Sequence, residues 1–145
     1  MTHSAKDVAR YILGYFSDRG SPISNLQLQK LLYFCWIDHF NRTGEHLFED
    51  PFVAWALGPV VVSVYREYCS YSGSPIFAGS CPLPEGLDKV AMDACLGKYE
   101  GWSGYRLVEA SHRKGGAWDA VYGALGKGAV IDAKLIERLE CRRVG

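Results

Sequence analysis

Between Ser24 and Phe40 the chain carries a helix that leaves itself almost no face to turn towards water. Ser24, followed three residues later by Gln27, forms a capping box, in which the hydroxyl accepts a first-turn N–H and the amide reaches back to the cap. Ile23 ahead of the cap is placed to staple onto Leu28. Leu28, Leu31, Leu32, Cys35, Trp36, His39 and Phe40 then recur at amphipathic spacing, and Tyr33, Phe34 and Ile37 widen the stripe until little polar face remains. A helix this apolar belongs at the centre of a fold. Burying each large side chain contributes about 1.5–3 kcal/mol, so this element is expected to dominate stability.

The remaining segments read as its walls. Ser4 with Asp7 resembles a second capping box and opens a helix with Val8, Ile12, Tyr15 and Phe16 on one face, ending near Asp18-Arg19-Gly20. Phe52 to Trp55 reads as a short strand, and Gly58-Pro59 as the start of a helix that buries Val61, Val64, Tyr65 and Tyr68. Ser70 to Pro84, punctuated by Gly and Pro, reads as the least constrained loop and the place for mobility. Beyond it come a helix facing inward through Leu87, Val90, Ala91 and Ala94, and a Ser103-capped turn with Leu107 and Val108. After the Gly115-Gly116 break a helix carries Trp118, Val121 and Leu125. Val130-Ile131 reads as a second strand, and Asp132 caps a last helix with Leu135, Ile136 and Leu139. The expected fold is mainly α: a single compact helical domain over 1–145 with a small two- or three-stranded β element.

Bulk composition narrows the function classes. With 48% hydrophobic and 22% charged residues among 145, the chain has the means for a sizeable core. Sixteen basic and sixteen acidic residues cancel, so a domain-wide basic footprint for nucleic acid is missing, and the low net charge is compatible with self-association. The five cysteines are odd in number and widely spaced, unlike a disulfide scaffold or zinc ribbon, and Cys35, Cys69 and Cys95 read as buried helix thiols. No signal peptide or membrane-spanning run is visible, which points to a soluble, reduced, cytoplasmic protein.

The chemical candidates are few. Cys35 and His39 lie four apart on one helix, but a cysteine nucleophile also needs a groove and an orienting third group. His39 and His46 with Glu45, Glu49 and Asp50 fit no standard metal spacing and read as a solvated loop. Ser111-His112 ahead of Trp118-Asp119 marks a polar junction. Read structurally, His112 donates to a backbone carbonyl and Trp118 fills the gap beneath; read functionally, His112 is an acid, base or ligand. Cys69 is a further nucleophile candidate. Arg113-Lys114, Arg138, Arg142 and Arg143 read as a solvated basic face rather than a DNA stripe. No catalytic residue, cofactor or metal is expected.

Taken in order, Leu28-Gln29-Lys30-Leu31-Leu32-Tyr33-Phe34, Leu47-Phe48, Phe52-Val53-Ala54-Trp55, Gly58-Pro59-Val60-Val61 and Val64-Tyr65 resemble the Panacea domain, the SocA-like antitoxin domain also associated with the phage protein GepA. Leu107, Ser111-His112 and Trp118 resemble its C-terminal half. Ala117 departs from the pattern, which often has Pro there. The resemblance implies the neutralising half of a bacterial, phage or prophage toxin–antitoxin pair, binding a cognate protein toxin. It also brings the alternatives of an adaptor that delivers a toxin to the ClpXP protease, or a phage protein that blocks a host factor. Gln29, Lys30, Tyr33, Trp55, Gly58, Pro59, Tyr65, His112 and Trp118 carry the signature and are expected to shape the scaffold. Aromatic anchors suit such an interface, and Tyr11, Tyr71, Tyr99, Trp102 and Tyr105 are the candidates for exposed ones, with toxin choice expected in the loop from Ser70 to Pro84.

Overall fold

A computed structural model describes residues 3–142, which form seven helices and one small antiparallel sheet. The helices are α1 (Ala5–Asp18), α2 (Asn25–Thr43), α3 (Val62–Tyr68), α4 (Lys89–Gly97), α5 (Gly104–Ser111), α6 (Ala117–Leu125) and α7 (Ala133–Glu140); β1 (Phe52–Trp55), β2 (Gly58–Val60) and β3 (Val130–Ile131) make the sheet. Arg143 lies outside the described residues.

The sequence signals explain how α2 comes to be central. Both halves of the Ser24/Gln27 capping box are made, and Gly44 closes the helix in the left-handed conformation. Leu28, Leu31, Leu32, Cys35, Trp36, His39 and Phe40 are all buried, with α1, α3, α4, α5, α7 and β2 packed around them. At the end of α1, Gly20 N–H bonds to the Ser17 carbonyl and Ser21 N–H to that of Phe16, the paired bonds of a Schellman stop. The cap at its start is only half a box: Ser4 Oγ accepts the Asp7 N–H, while the Asp7 carboxylate turns to Arg10.

The sheet order is β2-β1-β3, and β1 pairs antiparallel with both neighbours. Gly58-Pro59 therefore opens a strand, not a helix. Trp55 faces Gly58 across the two-residue turn Ala56-Leu57, Pro59 faces Ala54, and the helix begins only at Val62. Pro59 sits on an edge strand, where its missing N–H costs no ladder bond, and the β-branched Val60 suits a strand better than a helix. Val61 and Val64 are buried as expected, but Tyr65 is exposed, packed edge-on against Trp55, and Tyr68 is half-buried.

Four further expectations give way in the folded chain. In α4 the heavier stripe Met92, Cys95 and Leu96 takes the core, leaving Val90 80% exposed, and Leu125 likewise ends α6 in solvent. Cys69 lies in an exposed 3-10 turn (Cys69–Tyr71), whereas Cys35 and Cys95 are buried with their sulfurs 3.9 Å apart. The loop after Ser70 is fastened. Ile76 is buried and bonds to the Ile23 carbonyl at 2.8 Å, Ser17 Oγ bridges the Ile76 carbonyl and Ala78 N–H, and Ser80 donates to Asp18. The loop backbone runs so close to α1 that a Cβ at Gly14 would meet the Gly79 carbonyl at 2.9 Å.

Glu140 ties the C-terminal half together. Its carboxylate accepts from Tyr33 Oη at 2.8 Å, from Arg113 at 3.0 Å and from the Ala117 N–H at 3.1 Å. The last of these explains why Ala rather than Pro serves at 117: Pro has no N–H to give.

Candidate functional site

The site grows from the polar side of the first turns of α2. On a helix enclosed on nearly every side, Asn25, Gln29 and Lys30 cannot reach water, and all three are buried. Each is satisfied by the edge hairpin and the helix after it. Gln29 Oε1 accepts the Val61 N–H at 2.9 Å, filling the place of the side-chain cap that α3 lacks. Gln29 Nε2 donates to Asn25 Oδ1 at 3.0 Å, and Asn25 Nδ2 donates to the Tyr65 carbonyl at 3.1 Å. Replacing Gln29 with alanine orphans the Val61 N–H and leaves a void. The variant is expected to lose about 2–4 kcal/mol, read as a lower urea midpoint at unchanged slope.

Lys30 is the unusual member. Its side chain is 0% exposed, Nζ donates to the Pro59 carbonyl at 2.9 Å, and no described carboxylate lies within ion-pair distance. Burial alone holds its pKa down at about 7. The chain passes over it at Gly58, where φ is +112° and a Cβ would meet Lys30 Cε at 2.7 Å and Ser111 Oγ at 2.6 Å. Glycine is required here for both conformation and space.

On the other side of the hairpin, Trp118 Nε1 donates to the Trp55 carbonyl at 2.8 Å. The Trp118 ring lies between two partners, with His112 stacked at 3.7 Å and Tyr122 at 4.7 Å. His112 does not donate to a backbone carbonyl: its buried Nε2 has no hydrogen-bond partner among the described residues. Burial first, and then the charge of Lys30, lower its pKa. Ser111 Oγ donates to the Val108 carbonyl at 2.8 Å, so the Ser-His pair does not act as one unit.

Eight of the nine signature residues thus converge on the β1–β2 hairpin: Gln29, Lys30, Trp55, Gly58, Pro59, Tyr65, His112 and Trp118. Tyr33 meets the hairpin only at the far end of β1, packed edge-on against Phe52 and bonded to Glu140 on the α7 side.

Two concavities open beside this cluster. A cavity of about 290 Å³ is lined by Leu26, Gln29, Lys30, Trp55, Leu57 and Tyr65, with Ser72 and Lys127 also on its wall. A broader groove of about 630 Å³ shares Leu26 and Leu57 with it and continues along Tyr105, Val108, Glu109 and His112. Leu57 at the hairpin tip is 57% exposed and Tyr105 is 73% exposed. Leu57 was not singled out from sequence; the signal for it is an apolar residue at the tip of a two-residue turn.

The other candidates separate. Tyr71 is exposed, but Tyr11 is only 7% exposed and bonded to Asp93. Tyr99 and Trp102 are half-buried, packed edge-on against each other, with Phe34 stacked on Tyr99 and Arg106 over Trp102. Cys35 meets Cys95 rather than His39, and that contact together with burial pushes its thiol pKa up, away from a nucleophilic thiolate. His46 lies in a partly exposed loop but is not free in solvent. It packs on Trp36 and donates to Glu137 at 2.6 Å; burial works against its charge, but Glu137 and Glu49 outweigh it and raise the pKa. Arg113, expected on a basic face, is committed to Glu140 and the Leu139 carbonyl. Among the described residues no group of three or more His, Cys, Asp or Glu is placed to hold a metal, and no helix is long and apolar enough to cross a membrane.

The residues of this arrangement, a central capped helix with an edge hairpin seated on its buried polar side, fall in a stretch with known relatives in sequence. Residues 28–80 match the model of the SocA-like antitoxin family, Panacea domain. The chain is also 30% identical over 155 aligned positions to Antitoxin SocA of Caulobacter vibrioides (strain NA1000 / CB15N), an alignment covering 93% of this chain and 79% of that protein. The chain belongs to the SocA-like, Panacea-domain antitoxin family. No solved structure matches it.

Proposed function

We propose that this chain is the antitoxin of a bacterial or phage toxin–antitoxin pair and neutralises its toxin by direct binding through the hairpin face. Family membership supports the antitoxin role. One observation carries the choice of face: Leu57 and Tyr105 stand exposed along one shared groove, whose lining includes His112 of the signature cluster. Large apolar side chains held out by a rigid support lose little entropy on docking, and such anchors dominate binding energy when a partner buries roughly 800 Å² on each side. On this reading the signature residues brace the hairpin, and the exposed residues around it make the contact.

Co-expression with the product of a neighbouring toxic reading frame tests the proposal. Growth should be restored and the two proteins should purify together as a stable complex. Restored growth with toxin levels unchanged and no complex formed would remove neutralisation by binding.

A further inference from the structure

The cavity beside the hairpin has a one-sided charge. Its walls are apolar or neutral apart from two lysines, Lys30 beneath the floor and the exposed Lys127, whose Nζ stands 5.6 Å from the Trp55 ring centroid. No carboxylate lines it, and Glu109 belongs to the neighbouring groove. Lys30 has three donors and uses one, on Pro59. A cation under a low-dielectric floor, without a counter-ion, projects its field into the space above it. Ser72, on the same wall, has φ +54°, a conformation non-glycine residues rarely adopt. At about 290 Å³ the space suits one or two side chains, and it opens onto the exposed Leu57 that it shares with the broader groove.

We propose that this cavity is the anchoring point of the toxin-binding face and receives an apolar side chain of the toxin together with an adjoining carboxylate. The inference rests on the antitoxin reading. The carboxylate pairs with Lys127 at the rim and compensates Lys30 through the floor, while the apolar body packs against Leu26, Trp55 and Leu57.

A bound anion holds the Lys30 proton in place. Because the free protein releases that proton near pH 7, binding takes up a proton above this value, and affinity falls as pH rises. The other titratable groups on this side are Tyr65 from α3, His112 from α5 and Lys127 beyond α6, with Asp119 of α6 acting on His112. His112 is already neutral in that window, since its pKa is lowered from 6.5.

The test uses the intact chain with 4-methylpentanoate and its uncharged amide as probes, titrated by NMR to about 20 mM. The acid should shift Trp55 and Leu57 resonances and bind at least about tenfold more tightly than the amide, weakening by up to about tenfold per pH unit above pH 7. Lys30→Met and Lys127→Met should each reduce the preference for the acid; Lys127 is exposed, so its replacement leaves folding intact. Saturating toxin should exclude the acid. Equal binding of acid and amide, or no binding of either, overturns the proposal. A toxin complex that still admits the acid overturns it too, while leaving the antitoxin reading standing. Only the co-expression experiment, through toxicity unrelieved and no complex formed, would remove that reading itself.

Discussion

Gly58→Ala is expected to destabilise the protein by about 2–5 kcal/mol, a large share of the 5–15 kcal/mol that holds a typical domain folded. Two separate costs combine. At φ +112° any L side chain is strained, and the new methyl would sit 2.6 Å from Ser111 Oγ and 2.7 Å from Lys30 Cε. Neither neighbour moves freely, since Ser111 is bonded to Val108 and Lys30 to Pro59. Urea unfolding should show a lower midpoint with an unchanged slope. Adding Ser111→Ala isolates the share of the contact cost that comes from Ser111. It should recover part of the loss by relieving the contact and leave the backbone part untouched, giving a coupling energy of about 0.5–3 kcal/mol. Independent, additive losses would mean that the hairpin does not press on α5 at this point.

Lys30→Met is expected to act in the opposite direction at neutral pH. Holding the amine's pKa at about 7 rather than 10.5 costs the folded state roughly 4–5 kcal/mol there. Methionine has similar volume and removes that cost, but it leaves the Pro59 carbonyl without its donor, so the net gain should be about 1–3 kcal/mol. Between about pH 7 and 10.5 the unfolded chain holds the Lys30 proton more firmly than the folded one, so this residue makes stability rise with pH. Below pH 7 the penalty is full and constant. The slope approaches about 1.4 kcal/mol per pH unit and should vanish in the variant. Comparing the two proteins isolates Lys30, because the buried Tyr33 and Cys35 and the half-buried Cys141, whose pKa values are raised, act equally in both. On the cavity proposal, this cost to stability is set against what Lys30 does for the carboxylate of the toxin.

Much of this arrangement was legible in the chain, and the misreadings have identifiable causes. Ser24 and Gln27 specify the start of α2 through local hydrogen bonds, so reading them needs no knowledge of the fold. Gly58-Pro59 is different. The pair is equally at home in the first turn of a helix and at the edge of a hairpin, and only pairing with Phe52–Trp55 decides between them. The α4 error was one of phase: Leu87, Val90, Ala91, Ala94 and Met92, Cys95, Leu96 both fit a helical stripe, and packing chose the heavier one. The clustering of the signature residues was visible only as order along the chain. The burial of Lys30 follows from α2 being enclosed on nearly every side along its first turns, yet a lysine alone reads as solvated surface. Leu57 gave no periodic signal, since its exposure depends on a two-residue turn that the helix reading of Gly58-Pro59 had erased.

The central claim is that the hairpin face binds the toxin. Its most direct measurement is toxin affinity for Leu57→Asp and Tyr105→Asp proteins beside Phe77→Asp and Val90→Asp, which alter large exposed apolar residues that do not line either concavity. All four positions are on the surface, so thermal unfolding should be little changed and differences in affinity should report contact. The first pair should each weaken binding by at least about thirtyfold, as anchor residues do, and the second pair by less than about threefold. Full affinity in both Leu57→Asp and Tyr105→Asp, with loss at Phe77 or Val90, would contradict the assignment and place the toxin on another face.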